Sequence, residues 1–219
     1  INENREKISA RIIIFEIPVL KRLINEPLKN QYFFRVMLDT HLGNNIIKKY
    51  QNNELVRDSL LPKLEKYKKF GEHILLVNQI VGDTAVVPYH PVKWIYEKII
   101  NLRKYSDKKI IIREHPLQLQ EHKDLLKKIL IEINSNCFMS EKKDIDDDLE
   151  NAAACVALSS SASIDALIKG IPIFVEDKRS FAYEIANLNI KSINNPINKD
   201  REALFKSIAN THWSVEEIK

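Results

Sequence analysis

Six short apolar runs, at residues 11–16, 34–38, 73–78, 109–113, 154–158 and 171–175, are rich in β-branched side chains and bounded by polar or turn-forming residues. Hydrophobicity that is continuous rather than alternating predicts strands buried on both faces, as in a parallel sheet. Between and after the later runs, residues 92–104, 121–133, 163–169 and 181–187 repeat apolar positions at helical spacing. Strand alternating with helix, regular from residue 73 onward, predicts an α/β fold: a Rossmann-like, doubly wound parallel sheet with helices on both faces. The first seventy residues hold two strand candidates around an irregular polar stretch. A boundary is therefore placed near Gly71, with residues 1–70 a partial amino-terminal segment and 71–219 the Rossmann-like domain. Residues 48–70, charged and interrupted by Pro62, read as a broken helix or a surface linker.

Bulk composition adjusts this picture only slightly. Over 219 residues, 44% hydrophobic and 29% charged content excludes a disordered or fibrous chain. The 34 basic and 30 acidic residues leave a net charge of +4, too diffuse for the basic stripe that nucleic-acid binders use, so nucleic acid is not an expected partner. Mild basicity suits an anionic ligand or an acidic membrane surface. Cys137 and Cys155 lie in apolar stretches without metal-type spacing and read as buried thiols in a reducing compartment. No apolar run approaches the ~18 residues of a membrane span, and the start lacks the layout of a signal peptide. The expected location is the cytoplasm, with peripheral association at the inner membrane. Opening on Ile1 rather than Met is what an excised piece of a longer protein would show.

Four places hold candidate chemistry. The run KKIIIRE leads into His115-Pro116, so Arg113 and His115 stand at the carboxyl end of a predicted parallel strand, the edge at which open α/β sheets bind ligands. Proline ends the strand and turns the chain, while arginine and histidine can donate to a phosphate. The second place is ACVALSSSASIDALIKGIPIFV, which reads as strand, serine turn, helix, Gly170 cap and strand. Ser159, Ser160 and Ser161 would donate to an anion there, beside unpaired helix N–H groups; serines also cap helices without any ligand. Third, Gln79, Asp83 and Thr84 form a polar turn after the run HILLVNQ, with Asp83 a candidate acid or base; turn chemistry alone accounts for them equally well. Fourth, Asp39 and His41 in FFRVMLDTHLGNN pair a carboxylate with an imidazole, suited to deprotonating an acceptor hydroxyl, though the composition is also that of an ordinary loop. The acidic run 144–148 is read as a solvated helix start rather than a metal site, and no metal or cofactor is expected.

Taken together, Gln79 and Asp83 after a strand, the helix with Trp94, IIIREHP and ALSSSASIDALIKGIPIFV resemble the carboxyl-terminal, donor-binding half of capsule-polysaccharide glycosyltransferases of GT-B type, including β-Kdo transferases. CMP-sugar enzymes with His-Pro and paired-serine motifs are similar. The resemblance covers residues 71–219 and implies that His115, Pro116, Ser159, Ser160 and Ser161 hold the phosphate and ribose of a cytidine nucleotide. It further implies a metal-independent glycosyltransferase, moving a Kdo-like sugar from a CMP-linked donor to a glycan hydroxyl, with a reduced or truncated amino-terminal half. The acidic pair followed by glycine found in some sialyltransferases is absent, which leaves the catalytic base open among Asp39, His41 and Asp83. Teichoic-acid-type transferases with a CDP-polyol donor share the His-Pro and serine layout and are the alternative. A noncatalytic nucleotide-binding module and a phage protein that modifies nucleic acid represent other classes. The serine turn departs from the Ser-Gly-Gly of UDP-sugar 2-epimerases.

Overall fold

The structure, a computed structural model, describes residues 11–25, 31–40, 42–50, 57–133 and 135–219. Two compact units share the chain: the first comprises Ile1–Leu42, Ile46–Pro62 and Glu202–Lys219, the second Gly43–Asn45 and Lys63–Arg201. Apart from the short Gly43–Asn45 piece, the backbone thus changes unit after Pro62 and again after Arg201, where the sequence suggests one boundary near Gly71.

The first unit is built on an antiparallel sheet in the order β1 (Ile13–Glu16), β2 (Phe33–Leu38), β8 (His212–Ser214). The sequence assigns its first two strands to a parallel sheet. They pair antiparallel, Ile13 opposite Leu38 and Phe15 opposite Val36, because β2 is two-faced rather than buried throughout. Phe33, Arg35 and Met37 are buried, and the unit's interior also holds Leu20, Leu23, Ile46, Leu60, Leu204, Phe205 and Ile208. Leu20 directly precedes α1 (Lys21–Asn25), and the others come from α1, α2 (Ile46–Tyr50), a 3-10 turn at Asp58–Leu60 and α7 (Glu202–Ala209). On the other face Ile13, Phe15, Phe34 and Leu38 are exposed, with the rings of Phe15 and Phe34 edge to face at 6.4 Å. His212 is wholly buried. Its Nδ1–H donates to Ile208 O at 2.7 Å and its Nε2 accepts from the Val19 N–H at 3.0 Å, which fixes one neutral tautomer. The chain closes on α8 (Val215–Ile218), whose capping box joins Ser214 and Glu217.

The second unit is the Rossmann-like domain. Five parallel strands run in the order β5 (Cys137–Met139), β4 (Lys109–Arg113), β3 (His73–Val77), β6 (Ala152–Ala157), β7 (Ile173–Val175). One side of this sheet, Ile74, Leu76, Ile110, Ile112, Ala154, Val156 and Phe174, packs with helices α3 (Pro91–Arg103) and α4 (Gln120–Ile133). In α3 the buried Val92, Ile95, Ile99 and Leu102 recur at three- and four-residue steps, the stripe that one helix face presents to a sheet. Helix α6 (Ala162–Ile168) packs on β6 and β7, while α5 (Ile145–Leu149) makes the crossover into β6.

Three expectations need correction. Residues 181–187 are turns, not a helix: after Ala186, the Asn187 N–H donates to Ile173 O at 3.0 Å and the chain bridges to Phe174 beside β7. Strands β5 and β8, each three residues, and helix α7 went unread. The acidic run is not simply solvated, since Asp144 caps α5 and Asp148 is buried. Cys155 is fully buried, and burial pushes its thiol up to about 12, whereas Cys137 is only half-buried. Among the described residues, no helix is long and apolar enough to cross a membrane, and no group of three or more His, Cys, Asp or Glu side chains is placed to hold a metal ion.

Candidate functional site

In a sheet with this strand order, consecutive connections run outward in opposite directions from β3 and β6, and the crevice between their carboxyl ends is where open α/β sheets take ligands. Gln79 stands just beyond β3, buried; Ser159 stands just beyond β6. The fold joins them. Ser159 donates to Gln79 Oε1 through its N–H at 2.9 Å and its Oγ at 3.2 Å, with Ala85 O a second acceptor for the hydroxyl at 3.2 Å. Gln79 is held in turn by Gln118, whose Nε2 donates to Gln79 O at 3.2 Å while its Oε1 accepts from the Val81 N–H. Ser159 therefore ties two loops together, leaving Ser161 as the exposed member of the serine turn. Ser160 Oγ accepts from the Ala162 N–H at 3.2 Å, and Ser163 Oγ donates to Ser160 O at 2.7 Å. Ser161 precedes α6 without a side-chain cap bond and is exposed.

Next along the same edge, after β4, comes His115. Its Nδ1 accepts from the Leu117 N–H at 3.2 Å, so the proton of the neutral ring sits on Nε2, available as a donor. Partial burial lowers its pKa from the ordinary value, against an opposing pull from the Asp83 carboxylate. At neutral pH His115 is thus a neutral hydrogen-bond donor rather than a cation. Asp83 uses Oδ1 to accept from the Ala85 N–H at 2.8 Å, closing a turn in which Gly82 takes a positive φ of 89°. Thr84 and Pro116 are exposed on the same loops.

Arg113 does different work from that expected of it. Its Nη1 pairs with the buried Asp148 at 2.6 Å and reaches Lys142 O and Asp144 O, while Nη2 donates to Lys143 O at 2.9 Å. Ser140 Oγ adds a bond to Asp148 at 2.7 Å. The guanidinium organises the segment between β5 and α5, and its paired donors do not face the serine turn. Asp39, in the first unit, is likewise committed: its carboxylate takes the Arg11 Nε at 2.6 Å and the Ile12 N–H at 3.0 Å, and its backbone adopts φ 61° where β2 ends. That is the role of a loop-closing residue. His41 lies outside the described residues. His90-Pro91, the other His-Pro pair, starts α3, with proline at its first position.

Several residues in this region have no role in the sequence expectations, among them Glu114, which stands between Arg113 and His115 at the same strand end. Glu114 accepts from Asn78 Nδ2 through both carboxylate oxygens at 3.1 and 3.2 Å, and its pKa is raised by burial despite those bonds. Their signal was present, since they adjoin Gln79 and His115. Asp177 and Arg179 follow β7 at the same edge. A separate cleft of ≈ 230 Å³ lies on the α3 side of β6 and β7, between Trp94, Lys98, Glu176 and Leu188. Glu176 there accepts from Trp94 Nε1 at 2.7 Å and pairs with Lys98 at 2.5 Å. None of the serine-turn or His-Pro residues lines it, and it falls below the ~300 Å³ at which ligand pockets usually begin.

No protein-family model matches the sequence, and no curated protein matches it. Among solved structures, the chain is similar to Thermosulfurimonas dismutans KpsC, beta Kdo 2,7 transferase, with a TM-score of 0.44 and 16% identity over 91% of this chain and 64% of that one. It is also similar to Thermosulfurimonas dismutans KpsC, beta Kdo 2,4 transferase, with a TM-score of 0.42 and 12% identity over 80% of this chain and 61% of that one. The chain accordingly spans less than two thirds of the length of either.

Proposed function

We propose that the second unit binds a nucleotide-activated sugar along the carboxyl edge of its sheet and that the protein is a glycosyltransferase of GT-B type. The observation behind this reading is the joining of the β3 and β6 loops through Gln79 and Ser159, beside which Ser161 is exposed. His115 stands on the neighbouring loop, with a neutral ring able to donate from Nε2 to a phosphate oxygen. Hydrogen-bond donors held in place before the reaction stabilise a leaving phosphate without metal assistance. Asp83, which acts electrostatically on His115, is the candidate in this unit for taking a proton from an acceptor hydroxyl. In that reaction the acceptor oxygen bonds to the anomeric carbon as the bond to the nucleotide phosphate breaks.

The resemblance of the His-Pro and serine motifs supports a CMP-linked donor carrying a Kdo-like acid sugar, a capsule or surface glycan as acceptor, and work on the cytoplasmic side of the inner membrane. Thermal-shift screening against CMP, CDP, UDP, GDP and ADP tests the nucleotide, because a ligand that binds only the folded state raises its melting temperature. CMP is expected to give the largest rise; a larger response to CDP would favour the polyol-phosphate alternative. His115→Ala should remove CMP binding in calorimetry, and an unchanged affinity would overturn this assignment of the site. Release of free sugar from CMP-Kdo separates an enzyme from a noncatalytic nucleotide-binding module.

A further inference from the structure

The segment after β7 reaches the same crevice from the other side. Asp177 donates its N–H to Leu158 O at 3.0 Å, which fastens this segment to the residue immediately before the serine turn. The buried Asp177 carboxylate then takes three bonds from Arg179: the backbone N–H at 2.8 Å and Nε at 2.9 Å on Oδ1, and Nη2 at 2.6 Å on Oδ2. Burial alone would raise the Asp177 carboxyl, but the bonds and charge of Arg179 outweigh it and hold the group below its ordinary value. One edge of the guanidinium is thereby fixed in plane. The remaining nitrogen, Nη1, makes no hydrogen bond or ion pair among the described residues.

Strand order gives this arrangement its significance. Because β6 lies between β3 and β7, the serine turn that ends β6 is flanked by the loop after β3 on one side and the segment holding Arg179 on the other. Tyr89, in the loop after β3, lies within Coulombic reach of Arg179. Arg113, the cation suggested by sequence, has its donors committed elsewhere.

We propose that Arg179, oriented by Asp177, is the cation that holds the ligand's phosphate at the serine turn. This rests on the nucleotide reading above, in which Asp177 serves as the positioning residue and Nη1 as the donor to a phosphate oxygen. Calorimetric titration with CMP and with cytidine, which lacks the phosphate, tests it. Arg179→Gln, neutral and of similar length, is expected to weaken CMP binding about 10- to 100-fold, as for loss of a hydrogen bond to a charged group. Cytidine affinity should stay unchanged, and Arg179→Lys should recover part of the loss. Asp177→Asn should weaken CMP without affecting cytidine, and by less than Arg179→Gln. Melting temperatures of all variants confirm folding. Wild-type affinity for CMP in folded Arg179→Gln would overturn the inference and leave the nucleotide site standing. A wild-type protein that binds neither CMP nor any of the diphosphates would overturn both.

Discussion

One residue separates Arg113 from His115, and the fold gives them unrelated tasks. Strand alternation would set positions 113 and 115 on one face, but β4 ends at Arg113, which pairs with the buried Asp148, and His115 lies past the strand where proline redirects the chain. An arginine at a strand end is the residue type suited to phosphate, and nothing near it in sequence reveals that an aspartate at position 148 has claimed it. Asp177 and Arg179 were legible in principle, as an acid and a base two apart after a strand, but spacing alone does not distinguish a presented cation from a neutralised one. The burial of His212 leads to a prediction. Burial lowers its pKa from 6.5 to about 4, so the folded chain keeps it neutral while the unfolded chain begins to take up a proton near pH 6.5. The stabilisation is complete above that pH and is lost as pH falls from about 6.5 toward 4, by roughly 3 kcal/mol in all. Urea unfolding at successive pH values should show that decline, and His212→Gln should flatten it; a wild-type curve with no slope in this window would contradict the assignment.

At the scale of the element, Gly170 shows how a turn residue and a packed segment fix one another. Its φ of 67° is left-handed, and a Cβ would run into the carbonyl of Lys66, whose neighbour Lys68 donates its N–H to Gly170 O at 2.8 Å. Gly170→Ala should therefore destabilise the protein by about 1–3 kcal/mol, through backbone strain and displacement of residues 65–68. A melting temperature equal to wild type would refute this. The sequence revealed Gly170 as a helix terminator but not the chain packed against it, since the partner lies a hundred residues away. Strands β3, β4, β6 and β7 were legible because strands buried on both faces leave continuous apolar runs. β5 and β8 were not, because a three-residue strand owes its existence to its neighbour: Cys137–Met139 to β4 and His212–Ser214 to β2. Residues 181–187 misled for the opposite reason. Phe181, Ala182, Ile185 and Ala186 are buried at helical spacing, yet Asn187 joins the edge of β7 instead.

At the scale of the whole molecule, the chain leaves the first unit after Pro62, builds the second, and returns after Arg201. That return went unseen because hydrophobic patterning is local, and nothing within 202–219 marks the distant strand that His212–Ser214 joins. Deleting residues 202–219 should spare the Rossmann-like domain while dismantling the first unit, which loses the buried Leu204, Phe205 and Ile208 along with β8. Hydrogen exchange would show this as retained protection in β3, β4 and β6 beside lost protection in β1 and β2. Equal loss throughout would mean that the two units melt as one cooperative body.

Synthesis on the ribosome gives the pairing of Phe33 with Ser214 a further consequence. The segment 63–201 is complete when Arg201 emerges, and can reach its native arrangement while translation continues. β2, made far earlier, must wait with one hydrogen-bonding edge unpaired until His212–Ser214 emerge, which leaves it open to a wrong strand partner throughout synthesis of the domain between them.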